Sequence, residues 1–395
     1  MLSRLVSVSP AEFADTYWGR RPLLCAAEAL GQSYDDLLDA AAVDELLSER
    51  GLRTPFLRVA KAGNTLGERA FTGPGGVGAT IADQVSDDKL VRLFADGSTL
   101  VLQALHRVWP PVLAFCQQLA AELGHPVQAN AYVTPPQNQG FRDHYDVHDV
   151  FVLQIQGEKR WIIHSPVLDA PLRDQPWSDR RAAVEQRASE PPLIETVLRP
   201  GDCLYLPRGF LHAAQALGDV STHLTLGLHT WTGYHLAERL AGQALREVAQ
   251  QAAVRASLPL GTSFLNATDV RGEIEEVRSA LLEVIAQLDP DRVAELMQQS
   301  VRASSRPAPI GPLRQLRDAD ALTHDSPVTL REHLAASLDQ EDGGTVLRSR
   351  AGLFALSEDE VAPVKALLAG GSLPAGDLGT DLARRLLLAG LAVRA

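Results

Sequence analysis

The segments His144-Tyr145-Asp146 and Pro207-Arg208-Gly209-Phe210-Leu211-His212 supply two imidazoles and one carboxylate. Such a set holds a non-haem Fe(II) on one face and leaves the other face open, where O₂ and a co-substrate can bind. A lone His-x-Asp is a weak signal in a chain with 11 histidines. Two segments in order, each with its own Gly and Pro scaffold, are a stronger one. His148, Asp149 and His164 lie close by, and a helper or packing role fits them better than that of a fourth ligand.

The ligands need elements that bring them together. In a strand, residues i and i+2 share a side, so His144 and Asp146 are expected to face a barrel interior with Tyr145 turned away. His212 follows the run Leu204-Tyr205-Leu206 and a turn built on Pro207 and Gly209. A ligand pair on one strand and a third on a distant one call for a β-barrel or sandwich. Val150-Phe151-Val152-Leu153-Gln154-Ile155, then Gly157-Glu158, then Lys159-Arg160-Trp161-Ile162-Ile163 predict a hairpin continuing that sheet. Only four of the 37 basic residues are lysines: Lys61, Lys89, Lys159 and Lys365. A lysine opening an apolar strand in so arginine-rich a chain is either a solvated strand end or a cation for the far carboxylate of 2-oxoglutarate.

Gly201 to His212 reads G-x5-P-x-G-x2-H, which resembles the second signature of the cupin superfamily. Asp146 stands where many cupins carry a second His, and Val150 where their Glu ligand would fall, so a four-ligand site becomes a three-ligand one. Asn130-Ala131-Tyr132-Val133-Thr134-Pro135-Pro136, Gly140-Phe141, His144-Tyr145-Asp146 and Gly157-Glu158-Lys159-Arg160-Trp161 resemble the JmjC-type ribosomal oxygenases, Fe(II)- and 2-oxoglutarate-dependent protein hydroxylases. So do Pro207 to His212, His223-Leu224-Thr225-Leu226 and Tyr17-Trp18-Gly19-Arg20-Arg21-Pro22-Leu23, and the likeness spans roughly residues 10–232. The resemblance implies His144, Asp146 and His212 as iron ligands and catalytic residues, Lys159 on 2-oxoglutarate, and Asn130 and Tyr132 at the substrate and co-substrate pocket. One departure concerns the target: Gly227 stands where eukaryotic members tend to carry a Ser that contacts the target residue, and Leu228-His229-Thr230-Trp231 also differs.

The chain has 395 residues, enough for two or three domains with well-buried cores. No apolar run approaches transmembrane length and no signal-type core follows Met1, so the expected location is the cytoplasm. Cys25, Cys116 and Cys203 are odd in number and scattered, which argues against a disulfide framework and for buried thiols in a reducing interior. A net charge of −12 disfavours nucleic acid as a partner and suits a basic one, as ribosomal proteins are.

The expected class is α+β: a JmjC/cupin double-stranded β-helix, or jelly-roll, over residues 1–233, a helical dimerisation region over 234–303, and a winged-helix-like domain over 304–395. Leu113 to Leu123 has helical spacing and ends at Gly124. The charged insert Asp174 to Glu190, between the ligand segments, reads as a surface loop with a short helix, in a position that often covers a barrel mouth. Beyond Tyr234, Leu236, Leu240, Ala244 and Val248 and then Ile274, Val277, Leu281, Val284 and Leu288 form helical stripes, with Asp289-Pro290 a break. The bundle reads either as a helical subdomain packed on its own barrel or, as the resemblance implies, as a homodimer contact. Ser304 to Pro309 reads as a linker. A helix capped by Ser357 and Glu360, a second through Leu378 to Leu388, and a short strand over Gly390 to Val393 follow. Only Arg384 and Arg385 offer a basic pair there, which disfavours groove reading.

These features lead to a 2-oxoglutarate-dependent dioxygenase using Fe(II) and O₂ to hydroxylate an Arg or His of a ribosomal protein. The alternatives are an oxygenase of the same type acting on a small molecule, and a non-enzymatic cupin regulator whose C-terminal domain binds DNA.

Overall fold

A computed structural model of the protein describes residues 1–61, 63–265, 267–341 and 343–395. It divides into two compact units, Met1–Thr230 and Trp231–Ala395. The first is built on one nine-stranded sheet. Its strands in chain order are β1 (Leu23–Cys25), β2 (Leu57–Lys61), β3 (Asn64–Thr65), β4 (Thr99–Leu102), β5 (Val127–Thr134), β6 (Asp149–His164), β7 (Ile194–Leu198), β8 (Cys203–Leu206) and β9 (Leu211–Leu228). In space they run β1-β8-β6-β9-β5-β4-β2-β3, all pairs antiparallel, with β7 on the second half of β6.

The β-branched and aromatic run from Val150 to Ile163 is why β6 forms, and its alternation is why the sheet has two cores. Phe151, Leu153 and Ile155 join a large core with Leu5, Phe13 and Tyr205, to which the helix Pro110–Leu123 adds Val112, Phe115 and Leu119. Val150, Val152, Trp161 and Ile163 point the other way, against Leu198, Leu204 and Leu206. That helix ends at Gly124 with φ +71°, as its sequence predicts, and starts at Pro110, earlier than the apolar spacing marks.

The expected hairpin is absent: residues 149–164 are one continuous strand. Gly157 adopts φ +64°, but opposite it the register of β9 slips between Leu217 and Thr222, where Gly218 is also left-handed. A Cβ on Gly157 would run into the Val220 carbonyl. The glycine thus admits a close backbone approach at a bulge instead of turning the chain. The cysteines are free and buried as expected, yet Cys25 and Cys203, distant in sequence, are register partners on β1 and β8.

The second unit opens with helices Gly233–Val248, Arg271–Gln287 and Pro290–Ala303. Thr232 and His235 form a capping box on the first, and Asp289 caps the third ahead of Pro290. The rest holds two three-stranded sheets: β10 (Pro327–Leu330) between β14 (Leu373–Pro374) and β15 (Ala392–Arg394), and the meander β11 (Ser337–Glu341), β12 (Gly344–Ser349), β13 (Gly352–Ala355). The capping box of Ser357 and Glu360 starts the helix Glu358–Leu368. The expected helix through Leu378 to Leu388 is interrupted, because Gly379 at φ +84° ends Ala375–Leu378 and the next helix begins at Thr380. No helix among the described residues is long and apolar enough to cross a membrane.

Candidate metal centre

The predicted strand around His144 does not form. His144 makes an isolated antiparallel bridge to His212, and Asp146 lies in irregular chain. The bridge is reciprocal: His144 N donates to the His212 carbonyl (3.3 Å) and His212 N to the His144 carbonyl (2.8 Å). Gly209 N donates to the Asp146 carbonyl (3.0 Å), so the Pro207-to-His212 turn holds the His144-to-Asp146 segment by its backbone. The sheet supplies the anchor and the loop follows it, so i, i+2 strand geometry is not what brings the ligands together.

His144, Asp146 and His212 each offer one ligand atom, and these atoms lie within 4.8 Å of one another. His144 Nδ1 pairs with the Arg142 carbonyl (2.8 Å) and His212 Nδ1 with the Phe210 carbonyl (3.1 Å). A carbonyl only accepts, so each Nδ1 is the donor there, which leaves each Nε2 as the nitrogen available to a ligand. His212 Nε2 stands 3.8 Å from Asp146 Oδ2. Burial and the adjacent His144 push the His212 imidazole down to about 4, so it is neutral at pH 7. Burial would raise the Asp146 carboxyl, but His148, His212, His144 and Arg58 outweigh it and hold the group below its ordinary range.

A second network supports the first. Asp149, fully buried, accepts from Tyr205 Oη (2.6 Å), Arg208 N (3.1 Å) and Arg208 Nη1 (3.2 Å), and Arg208 Nη1 also donates to Thr230 Oγ1 (3.0 Å). The acid passed over as a ligand thus fixes the start of β6 to the turn that presents His212. On the other side, Tyr145 Oη donates to the Gln175 carbonyl (2.9 Å), and Tyr145, Val184 and Leu211 form a small core that Trp177 joins. The insert, with its helix Arg181–Ala188, is packed onto the ligand segment.

The three ligands border a cavity also lined by Lys159, Tyr132, Thr99, Phe141, Trp161, His223 and Thr225. Lys159 is not at a strand end: it lies mid-β6 and is 3% exposed. Its Nζ donates to Thr134 Oγ1 (3.1 Å) and stands 3.5 Å from His223 Nδ1. No carboxylate pairs with it among the described residues. Burial lowers its pKa to about 7.

Tyr132 reaches the cavity as expected, stacked on His223 with ring centroids 4.8 Å apart. Burial pushes its phenol up to about 12. Asn130, two residues back on β5, does not line the cavity; its Oδ1 accepts from Ala104 N (3.0 Å). Thr134 and His223 escaped the reading of single residues. The period-2 rule from Tyr132 and the β5–β9 register point to both. At Gly227 the departure has a physical counterpart: a Cβ there would lie 2.9 Å from Gln128 and 3.1 Å from His148, whose polar ends meet at 3.3 Å.

Residues 107–236 match the family model described as JmjC domain. The chain is 39% identical over 137 residues to the bifunctional lysine-specific demethylase and histidyl-hydroxylase NO66 of Drosophila persimilis, covering 34% of this chain and 19% of that protein. It is 31% identical over 292 residues to ribosomal oxygenase 1 of Gallus gallus, covering 71% of this chain and 45% of that one. The chain thus spans less than half the length of these curated relatives. The ribosomal oxygenase YcfD of Escherichia coli, solved with cobalt and 2-oxoglutarate, shares the fold with a TM-score of 0.56 at 18% identity, over 98% of this chain and 99% of that one. This chain therefore carries a JmjC domain, in a JmjC/cupin fold, and is related in sequence to the ribosomal oxygenases.

Proposed function

We propose that the protein is a 2-oxoglutarate-dependent dioxygenase that hydroxylates a protein side chain. The observation that carries the reading is one cavity holding both a two-His, one-carboxylate set and a buried lysine without a carboxylate partner among the described residues. The donors fit Fe(II): two imidazole Nε2 atoms, each with its Nδ1 turned to a carbonyl, and one ionised carboxylate. Bound there, iron would supply the oxidative chemistry that converts O₂, 2-oxoglutarate and a C–H bond into succinate, CO₂ and an alcohol.

The protein's part is binding and exclusion. His144, Asp146 and His212 would hold the metal. Lys159 donates a charged hydrogen bond to the far carboxylate of 2-oxoglutarate, with Thr134 and Tyr132 beside it. Apolar Val150 and Val152 line the wall and offer no competing ligand. The insert packed on Tyr145 restricts access to the ligand segment.

The target we favour is an Arg or His of a ribosomal protein, as the names of the relatives and the acidic charge support. The helical stretch 234–303 leaves Tyr234, Leu236, Leu245, Ile274 and Leu282 exposed, which suits a homodimer contact. We read 304–395 as a winged-helix-like domain and place the reaction in the cytoplasm.

Succinate release from 2-oxoglutarate should be lost in Asp146→Ala with the fold retained; full turnover in that variant would refute the assignment. Ribosomal proteins from a strain lacking the gene should miss a one-oxygen mass increment, and an unchanged set would remove the ribosomal target.

A further inference from the structure

Trp161 is 4% exposed and lines the cavity, yet its indole Nε1 is buried with no hydrogen-bond partner among the described residues. A buried N–H left unpaired is costly, and native structures keep few of them. Trp109, by contrast, donates its Nε1 to the Leu37 carbonyl (2.9 Å). The position of Trp161 is informative. Lys159, Trp161 and Ile163 follow one another on one face of β6 and pair with Ala216, Ala214 and His212 of β9. Trp161 therefore stands between the lysine and the metal-ligating histidine. Its ring lies 5.9 Å from that of His212 and 5.5 Å from that of His223.

Two buried donors on one strand face, one a cation and one an indole N–H, lack an acidic partner among the described residues. A ligand that satisfies both must carry acceptors at two points, as a dicarboxylic 2-oxo acid does. We propose that Trp161 is a co-substrate ligand whose N–H donates to the 2-oxo acid end of 2-oxoglutarate, while Lys159 holds the far carboxylate. The proposal rests on the reading of the cavity as a 2-oxoglutarate site. It assigns the two ends of the co-substrate to different residues, so each end can be tested apart.

The test is calorimetric titration of the full-length Zn(II) protein, which binds without turning over, with 2-oxoglutarate and with pyruvate. Pyruvate keeps the 2-oxo acid end and lacks the far carboxylate. Trp161→Phe keeps the ring packing and removes only the donor. It should weaken both ligands about tenfold, the loss expected of one hydrogen bond to a charged group. Lys159→Ala should weaken 2-oxoglutarate and leave pyruvate unchanged. Unaltered affinities in Trp161→Phe would overturn the proposal, as would a loss confined to 2-oxoglutarate. Should that variant misfold, ¹⁵N-indole spectra of the wild type decide, with single Phe variants at the other four of the five tryptophans assigning Trp161 by elimination. The Trp161 signal should move downfield on adding either ligand; an unmoved signal at saturation overturns the proposal. A wild type that binds no 2-oxoglutarate would defeat the functional reading first, and this proposal with it.

Discussion

The cavity has two ends built on opposite plans. At the metal end, His144 and Asp146 sit in irregular chain, held by backbone bonds to the turn before β9 and by the buried Asp149, Tyr205 and Arg208 network. At the other end, Lys159, Tyr132, Thr134 and His223 stand on strands of the sheet, Lys159 and His223 next to the bulge at Gly157. The first plan protects geometry with polar supports, because a loop has no register to fix it. The second lets the sheet fix geometry and leaves a cation without an acidic partner among the described residues, as the proposed anionic ligand requires.

The largest effect expected of breaking this contrast is at the metal end's support. Asp149→Ala leaves the mostly enclosed Arg208 (side chain 15% exposed) without its ion partner and should destabilise the first unit by about 3 kcal/mol. Chemical denaturation measures it; a loss under about 1 kcal/mol would mean that the network is ornamental. Lys159→Ala should raise the 2-oxoglutarate concentration for half-saturation roughly 10- to 100-fold, the range for a hydrogen bond to a charged group. An unchanged requirement would assign the carboxylate to another cation.

The same lysine predicts pH effects of opposite sign. Its pKa is about 7 in the folded protein and ordinarily 10.5. Folding therefore releases a proton between those values, and stability of the ligand-free protein gains from Lys159 as pH rises through that window. Binding a carboxylate needs the ammonium form, so affinity for 2-oxoglutarate should fall as pH rises above about 7, by up to tenfold per unit. A flat affinity between pH 7 and 9 would contradict the assignment. The smallest effect is at Asn130. Asn130→Ala loses its bond to Ala104 N, costing about 1 kcal/mol of stability and leaving 2-oxoglutarate affinity unaltered. A large affinity loss there would return Asn130 to the pocket.

The two plans also explain what the sequence could reveal. The set of three side chains that converge was legible because metal chemistry restricts residue types and Gly and Pro mark the turn. How they converge was not, since a backbone bridge between His144 and His212 leaves no side-chain signature. Lys159 stood out by rarity, but its burial mid-strand was hidden behind Gly157, which reads as a hairpin turn and acts at a bulge. Helix termini at Gly124 and Ser357 were legible because caps are local. The β11–β13 meander was missed, since Asp339, Glu341 and Arg348 break the apolar alternation that marks a strand.

The most direct test is an anaerobic titration of the Fe(II) protein with 2-oxoglutarate, followed by the visible absorption that arises when a 2-oxo acid chelates ferrous iron. The wild type should develop the band, Lys159→Ala should need more 2-oxoglutarate to reach it, and Asp146→Ala should not develop it. A wild type without the band, or an Asp146→Ala variant that matches it, would contradict the account.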